Sequence, residues 1–232
     1  MKTKTLIIRY TLEFFVIILG VSISFYIEKQ NALKYKETIK NQSLKRILNN
    51  SKTDNSDFEF NLEAHQDFVK SSYWILQNQN NLSDFSRDSI GYHLGFAIDG
   101  NTFFVDNTEE YRGLKNSGLI ELIENDSLVS VLQNKHAQRV VITKMEEFIT
   151  GHIKNNAEFL YTNTKYLSEK KNNLGYAIDR TYTGDFKIPQ PVIQNIEQKL
   201  RFHQYYIEQT IFELKRNAFI EKLIKKEIAI KG

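Results

Sequence analysis

The chain has 232 residues, 41% of them hydrophobic and 12% aromatic, with a formal net charge of +3. That is ample apolar matter for a packed core, and too little positive charge, without basic clusters interleaved with aromatics, for a nucleic-acid partner. The absence of cysteine excludes disulfides, thiol catalysis and thiolate metal sites together, and two prolines leave long stretches free to be helical.

The first predicted element is a membrane anchor. Tyr10 to Ile27 reads YTLEFFVIILGVSISFYI, with no charge from Phe14 onward. A helix from Leu6 to Ile27 would span roughly 30 Å, the thickness of a bilayer's hydrocarbon core. Arg9 and Glu13 are four apart and can pair on one helix face near the interface; the alternative for Glu13 is an ion path or a contact with a partner helix. Gly20 and Ser24 form a small-xxx-small pair that permits close approach of another helix. Lys2, Lys4 and Arg9 followed by Ser22-Ile23-Ser24 also fit a cleaved signal peptide. Glu13 inside the apolar run and Phe25-Tyr26-Ile27 beyond the cut favour a retained anchor. Basic residues flank both ends, so the short basic tail sets the expected orientation: N-terminus in the cytoplasm, body outside.

Three segments follow from this: a tail and anchor over 1–27, a juxtamembrane helix over 28–50, and a helical bundle over 51–232. Glu28 to Asn50 is Lys-rich and reads as a mostly solvated continuation of the membrane helix, broken at Asn49-Asn50-Ser51-Lys52. Asp54 or Ser56 then caps a helix whose stripe is Phe58, Leu62, His65, Val69 and Leu76. Ser83-Asp84 opens a shorter helix to about Leu94, and 95–106 is a loop turning at Asp99-Gly100.

Asn107 and Glu110 suggest a capping box opening a helix that carries Tyr111 and Leu114 and stops at Ser117-Gly118. A short turn follows over 119–124. Asn125 or Asp126 caps the next helix, with Leu128, Leu132, Val141, Met145, Phe148 and His152 as its stripe. Leu167 to Gln190 is irregular, with Gly175 and Gly184. From Pro191 the last helix repeats Ile193, Ile196, Leu200, His203, Ile207, Ile211, Leu214 and Ala218, as in a coiled-coil seam. Ile220, Leu223, Ile224 and Ile228 then present a different face, open to a partner. The class is all-α: an N-terminal transmembrane helix followed by an elongated bundle of about four to five long helices.

Chemistry-bearing motifs are sparse. The histidines form no HxxxH or HExxH pair, and there is no P-loop, dinucleotide fingerprint or GxSxG. His65, His152 and His203 lie on apolar stripes, as buried core histidines or as a cluster converging across helices. Glu109-Glu110 and Glu146-Glu147 read as solvated faces. No catalytic residue, metal site or cofactor is expected.

Glu13 opening the span with Gly20 seven residues on, and Tyr111, Leu114, Ser117, Gly118 and Ile120 in the pattern Y-x-x-L-x-x-S-G-x-(I/L), together resemble an uncharacterised family of small bacterial single-pass membrane proteins. That family usually carries a polar, Trp-containing segment after its anchor, where this chain has Glu28-Lys29-Gln30-Asn31. The resemblance implies the topology and no enzymatic activity, with Tyr111 to Gly118 as either a binding surface or a helix with its C-cap. The expected function is a non-catalytic interaction or scaffold subunit of a bacterial envelope complex, its partners the lipid bilayer and another envelope protein or a second copy. The alternative is an extracytoplasmic ligand sensor that signals through a partner.

Overall fold

The computed structural model describes residues 2–167 and 180–229. Its helices are α1 (Lys2–Asn78), α2 (Arg87–Asp99), α3 (Glu109–Asn116), α4 (Asp126–Asn163) and α5 (Gln190–Ala229). One-turn 3-10 helices occupy Leu82–Asp84 and Leu119–Leu122, and two short strands, β1 (Thr164–Tyr166) and β2 (Arg180–Tyr182), pair antiparallel with Thr164 opposite Tyr182. The all-α class holds. Three helices are long and two are short, and Gly175 of the expected irregular segment lies outside the described residues.

The break expected at 49–52 does not occur. After Gly20 there is no glycine or proline before Gly91, and α1 runs unbroken for 77 residues, about 115 Å at the helical rise. Asp54 and Ser56 are therefore interior residues and not caps. What carries the helix through Asn49-Asn50-Ser51 is a buried seam. Leu44, Ile47, Ser51, Asp54, Phe58, Asn61, His65, Phe68, Ser72 and Ile75 are all buried, at alternating intervals of three and four, the heptad spacing of coiled coils. Lys40, one of the lysines expected to be solvated, is fully buried one turn before that seam.

Helix α5 returns antiparallel along α1 with the same spacing. Its buried line is Ile196, Lys199, His203, Tyr206, Thr210, Glu213, Asn217, Ile220, Ile224 and Glu227. The expected stripe is right through His203 and then wrong: Ile211 is exposed, while Tyr206 and Glu213 face inward. On α4, Leu128 and Leu132 are buried as expected, but the inward line continues through Ile142, Glu146 and Ile149, and Phe148 is exposed. Glu146 is thus no solvated residue.

The fourth side of the bundle is filled in turn by α2, the segment 100–108 and α3. Ser86, not Ser83, caps α2, its side chain accepting from the Ser89 amide at 3.1 Å. Gly91 lets the β2 backbone lie against α2, where a Cβ would run into the Arg180 carbonyl. The capping box at Asn107 is absent: Thr108 is the N-cap without a side-chain bond, and the Asn107 amide donates to Asp54 at 2.8 Å. Gly118 does stop α3 with φ of 70°, and Asn125 does cap α4.

The core divides into an apolar upper end around Ile75, Leu94, Leu160 and Ile196 and an apolar lower end around Leu44, Leu114, Leu132 and Ile224. Ile220, Leu223 and Ile224, expected to be open to a partner, are packed into that lower end. Between the two ends the seam is largely polar.

Candidate functional site

The anchor keeps its side chains outward. From Phe14 to Ile27 every large apolar residue is exposed, Val16 and Phe25 each by 67%, and none of the apolar stretch is buried inside the fold. Apolar side chains exposed all round a helix suit hydrocarbon rather than water. The Arg9 guanidinium donates to Glu13 at 2.9 Å, as the spacing predicts. Ser24 donates to the Gly20 carbonyl at 2.9 Å, and a Cβ on Gly20 would meet nothing within 4 Å.

The proposed surface at Tyr111, Leu114, Ser117 and Gly118 is not one surface. Tyr111 and Leu114 are buried in the lower core, and Ser117 donates to the Gly113 carbonyl at 2.8 Å beside the Gly118 stop. A helix and its C-cap account for all four.

Two of the three singled-out histidines meet. His65 from α1 and His203 from α5 are both fully buried, their Nδ1 atoms 2.9 Å apart. One ring must donate and the other accept, so the contact requires at least one of them neutral. His65 Nε2 is 3.0 Å from Thr102 Oγ1, and its ring stacks on Tyr206 at 3.8 Å. His152 stands apart, bonded to Asn195 and tilted against Phe202. Among the described residues no group of three or more His, Asp or Glu is placed to hold a metal.

Beside this pair lies Lys199, also buried, whose ammonium donates to the Ile98 and Ala97 carbonyls at 2.7 and 3.2 Å, the last turn of α2. Burial pulls its pKa down to about 7, against a weaker opposing pull from Asp99. Burial, then the charge of Lys199, lowers His65 to about 3 and holds His203 well below its ordinary range. A histidine neutral in the fold and protonated when unfolded removes stability as pH falls below its unfolded value near 6.5. Glu146, Glu213 and Asp106, all raised chiefly by burial, contribute the opposite slope. The comparison must therefore be with a variant. Between pH 6.5 and 5 the protein should lose about 1.6 kcal/mol more than a His65→Gln variant, since the unfolded histidine goes from half to almost fully protonated over that interval. Urea unfolding of both proteins across that range checks it; parallel pH profiles would refute it.

Below the histidines, Glu146 accepts from the Phe104 amide at 2.8 Å and the Tyr206 hydroxyl at 3.3 Å. Arg139 donates to the Phe104 carbonyl at 2.5 Å and lies over its ring, while Phe104 stacks on Phe58 at 3.9 Å. Asp54 takes Lys135 at 2.7 Å, Glu213 takes Arg216, and Asn217 donates to Asn55 at 2.7 Å. Nearest the anchor, Lys40 donates to Glu227 at 3.2 Å, and Glu227 also accepts from the Glu124 and Asn125 amides at the start of α4.

Periodicity of apolar residues passes over Glu146, Lys199, Glu213 and Glu227. The alternation of three and four would have found the last three, once polar residues are admitted to the α5 seam. Such buried pairs gain little net stability over apolar residues of the same size, because their Coulomb attraction is offset by desolvation. Compared with family models, curated proteins and solved structures, the chain matches none.

Proposed function

We propose that the chain is a membrane-anchored helical interaction subunit, non-catalytic, sitting in a bacterial inner membrane with its N-terminus in the cytoplasm and its body outside. The observation that carries this is α1: one unbroken helix supplies both an exposed apolar stretch long enough to cross a membrane and the longest wall of the bundle. A body joined in this way is held at a set height and angle from the bilayer, as a scaffold requires. The interior polar groups are engaged mostly with one another, as structural groups are. Outside the seam, Tyr205, Phe212 and Phe219 recur every seven residues on α5 and are exposed, with the Arg216 guanidinium over the Phe212 ring, which suits docking on another envelope protein. The resemblance at Glu13, Gly20 and Tyr111 to Ile120 supports the same topology.

The experiment is a photo-crosslinking residue at Phe212 in the full-length chain in its own host, with the same residue at Lys165 on β1 as control. A single discrete adduct at position 212 alone is expected, and it names the partner; no adduct, or the same smear from both sites, rejects the reading. The second reading, an extracytoplasmic sensor signalling through a partner, is favoured by a small cavity between α1, α3 and α4 with one apolar and one polar wall.

A further inference from the structure

That cavity, of about 30 Å³, lies where α1, the 100–108 segment, α3 and α4 meet. The space suffices for one small polar group and little more. Its apolar wall is Ile47, Tyr111 and Leu132; its polar wall is Ser51, Asp106 and His136, with Lys135 beside them. Three shielded side-chain atoms on the polar wall have no hydrogen-bond partner: Ser51 Oγ, Asp106 Oδ1 and His136 Nδ1. Ser51 itself is only 4% exposed. Each of the three atoms can accept a hydrogen bond, and leaving such groups unsatisfied is costly.

Two carboxylates, Asp54 and Asp106, and two cations, Lys135 and Arg139, act on one another at the cavity, and Asp106 is the carboxylate without a direct ion pair. Asp54 takes Lys135 with one oxygen and the Asn107 amide with the other, and its side chain also meets that of Asp106. Arg139 donates to the Phe104 carbonyl through Nη2 and makes no ion pair among the described residues, though its charge reaches Asp106, and Arg216 is paired with Glu213. Asp106 makes no ion pair among the described residues. One Asp106 oxygen therefore faces the cavity without a hydrogen-bond partner, beside two other unpartnered acceptors.

We propose that this cavity binds a protonated primary amino group, either the ammonium ion or the head of a small primary amine, whose three N–H donors are met by Asp106 Oδ1, Ser51 Oγ and His136 Nδ1. The first carbon of an amine faces Ile47, Tyr111 and Leu132. Anions are disfavoured by Asp106 in the wall. A divalent metal would find one free carboxylate oxygen where it needs several oxygen ligands. A quaternary ammonium has no donors and is too large.

The site is independent of whether the body is a scaffold or a sensor, and its test is separate from the crosslinking above. The full-length protein in detergent micelles is titrated at constant ionic strength with ammonium, methylammonium, tetramethylammonium and sodium chlorides, following heat of binding and melting temperature. Saturable binding and a rise in melting temperature are expected for the first two salts only. Tighter binding of methylammonium points to the head of a larger amine, tighter binding of ammonium to the free ion. The apparent Kd should rise at least about tenfold in both Asp106→Asn and Ser51→Ala, so the test survives if one variant fails to fold.

Affinity should also fall on acidification. Burial and the neighbouring Asp54 hold Asp106 above the ordinary carboxylate range, against Lys135 and Arg139. Protonation of Asp106 removes the charge, and Glu213 on α5, also raised by burial, gains a proton in the same direction. No saturable effect, or equal binding by wild type and both variants, overturns the proposal and leaves a water-filled cavity.

Discussion

Replacing Glu227 with alanine should destabilise the body by about 3–5 kcal/mol, the usual cost of stranding one partner of a buried ion pair. Lys40 is fully buried and Glu227 is 2% exposed, so neither has water to fall back on. The carboxylate also closes three joints at once: Lys40 on α1, and the Glu124 and Asn125 amides where α4 begins. Without it, two amides near the start of α4 lose their acceptor along with the ammonium. Glu37 remains 3.0 Å from Lys40, which places the expected loss toward the lower end of that range. A Lys40→Met, Glu227→Met double variant should recover much of it, because an apolar pair carries no desolvation penalty. Urea denaturation midpoints of the three proteins at pH 7 decide the matter. A loss under about 1 kcal/mol in Glu227→Ala would show that the pair is solvated in the protein.

The second large effect concerns the backbone of α1. Asn49 is exposed and lies where the local residues favour a break. Asn49→Pro removes one intrahelical hydrogen bond and drives its ring into the preceding turn, and should cost about 3 kcal/mol or more. Asn49→Ala at the same position should be neutral or stabilising by a few tenths of a kcal/mol, since alanine is the best helix former. If α1 were instead two helices joined at 49–52, proline would be tolerated there and the two variants would unfold at nearly the same denaturant concentration. Far-UV circular dichroism alongside the unfolding curves separates a kinked fold from a lost one.

These two sites show what was legible in the sequence. The long apolar start of α1 is legible as a run of composition, and the Gly118 stop and the Asn125 cap each depend on residues within a turn of one another, so local chemistry suffices to find them. The lower α5 seam does not. Ile207, Ile211 and Leu214 form a convincing apolar row, but packing selects Tyr206, Thr210 and Glu213 for the interior, because their partners come from α1 and α4. The same holds for α1, where Ser51, Asp54, Asn61 and His65 occupy core positions that a hydrophobic pattern leaves blank. Lys199 is hidden for another reason: its acceptors are carbonyls, which every sequence has. Of the candidate site, the meeting of His65 and His203 was anticipated as one of two outcomes. Asp106 lay in a stretch read as loop, and His136 was only counted among the histidines.

Because the anchor and the bundle wall are the same helix, they also share one azimuth. Each residue inserted between Ile27 and Leu33 turns the Gly20–Ser24 face by about 100° relative to the body, while seven together return it to within about 20° and lift the body by about 10 Å. Orientation and height are therefore separable by insertion length alone. A neighbour that grips both the anchor and the body would tolerate neither change, and one that holds only the body would be indifferent to both.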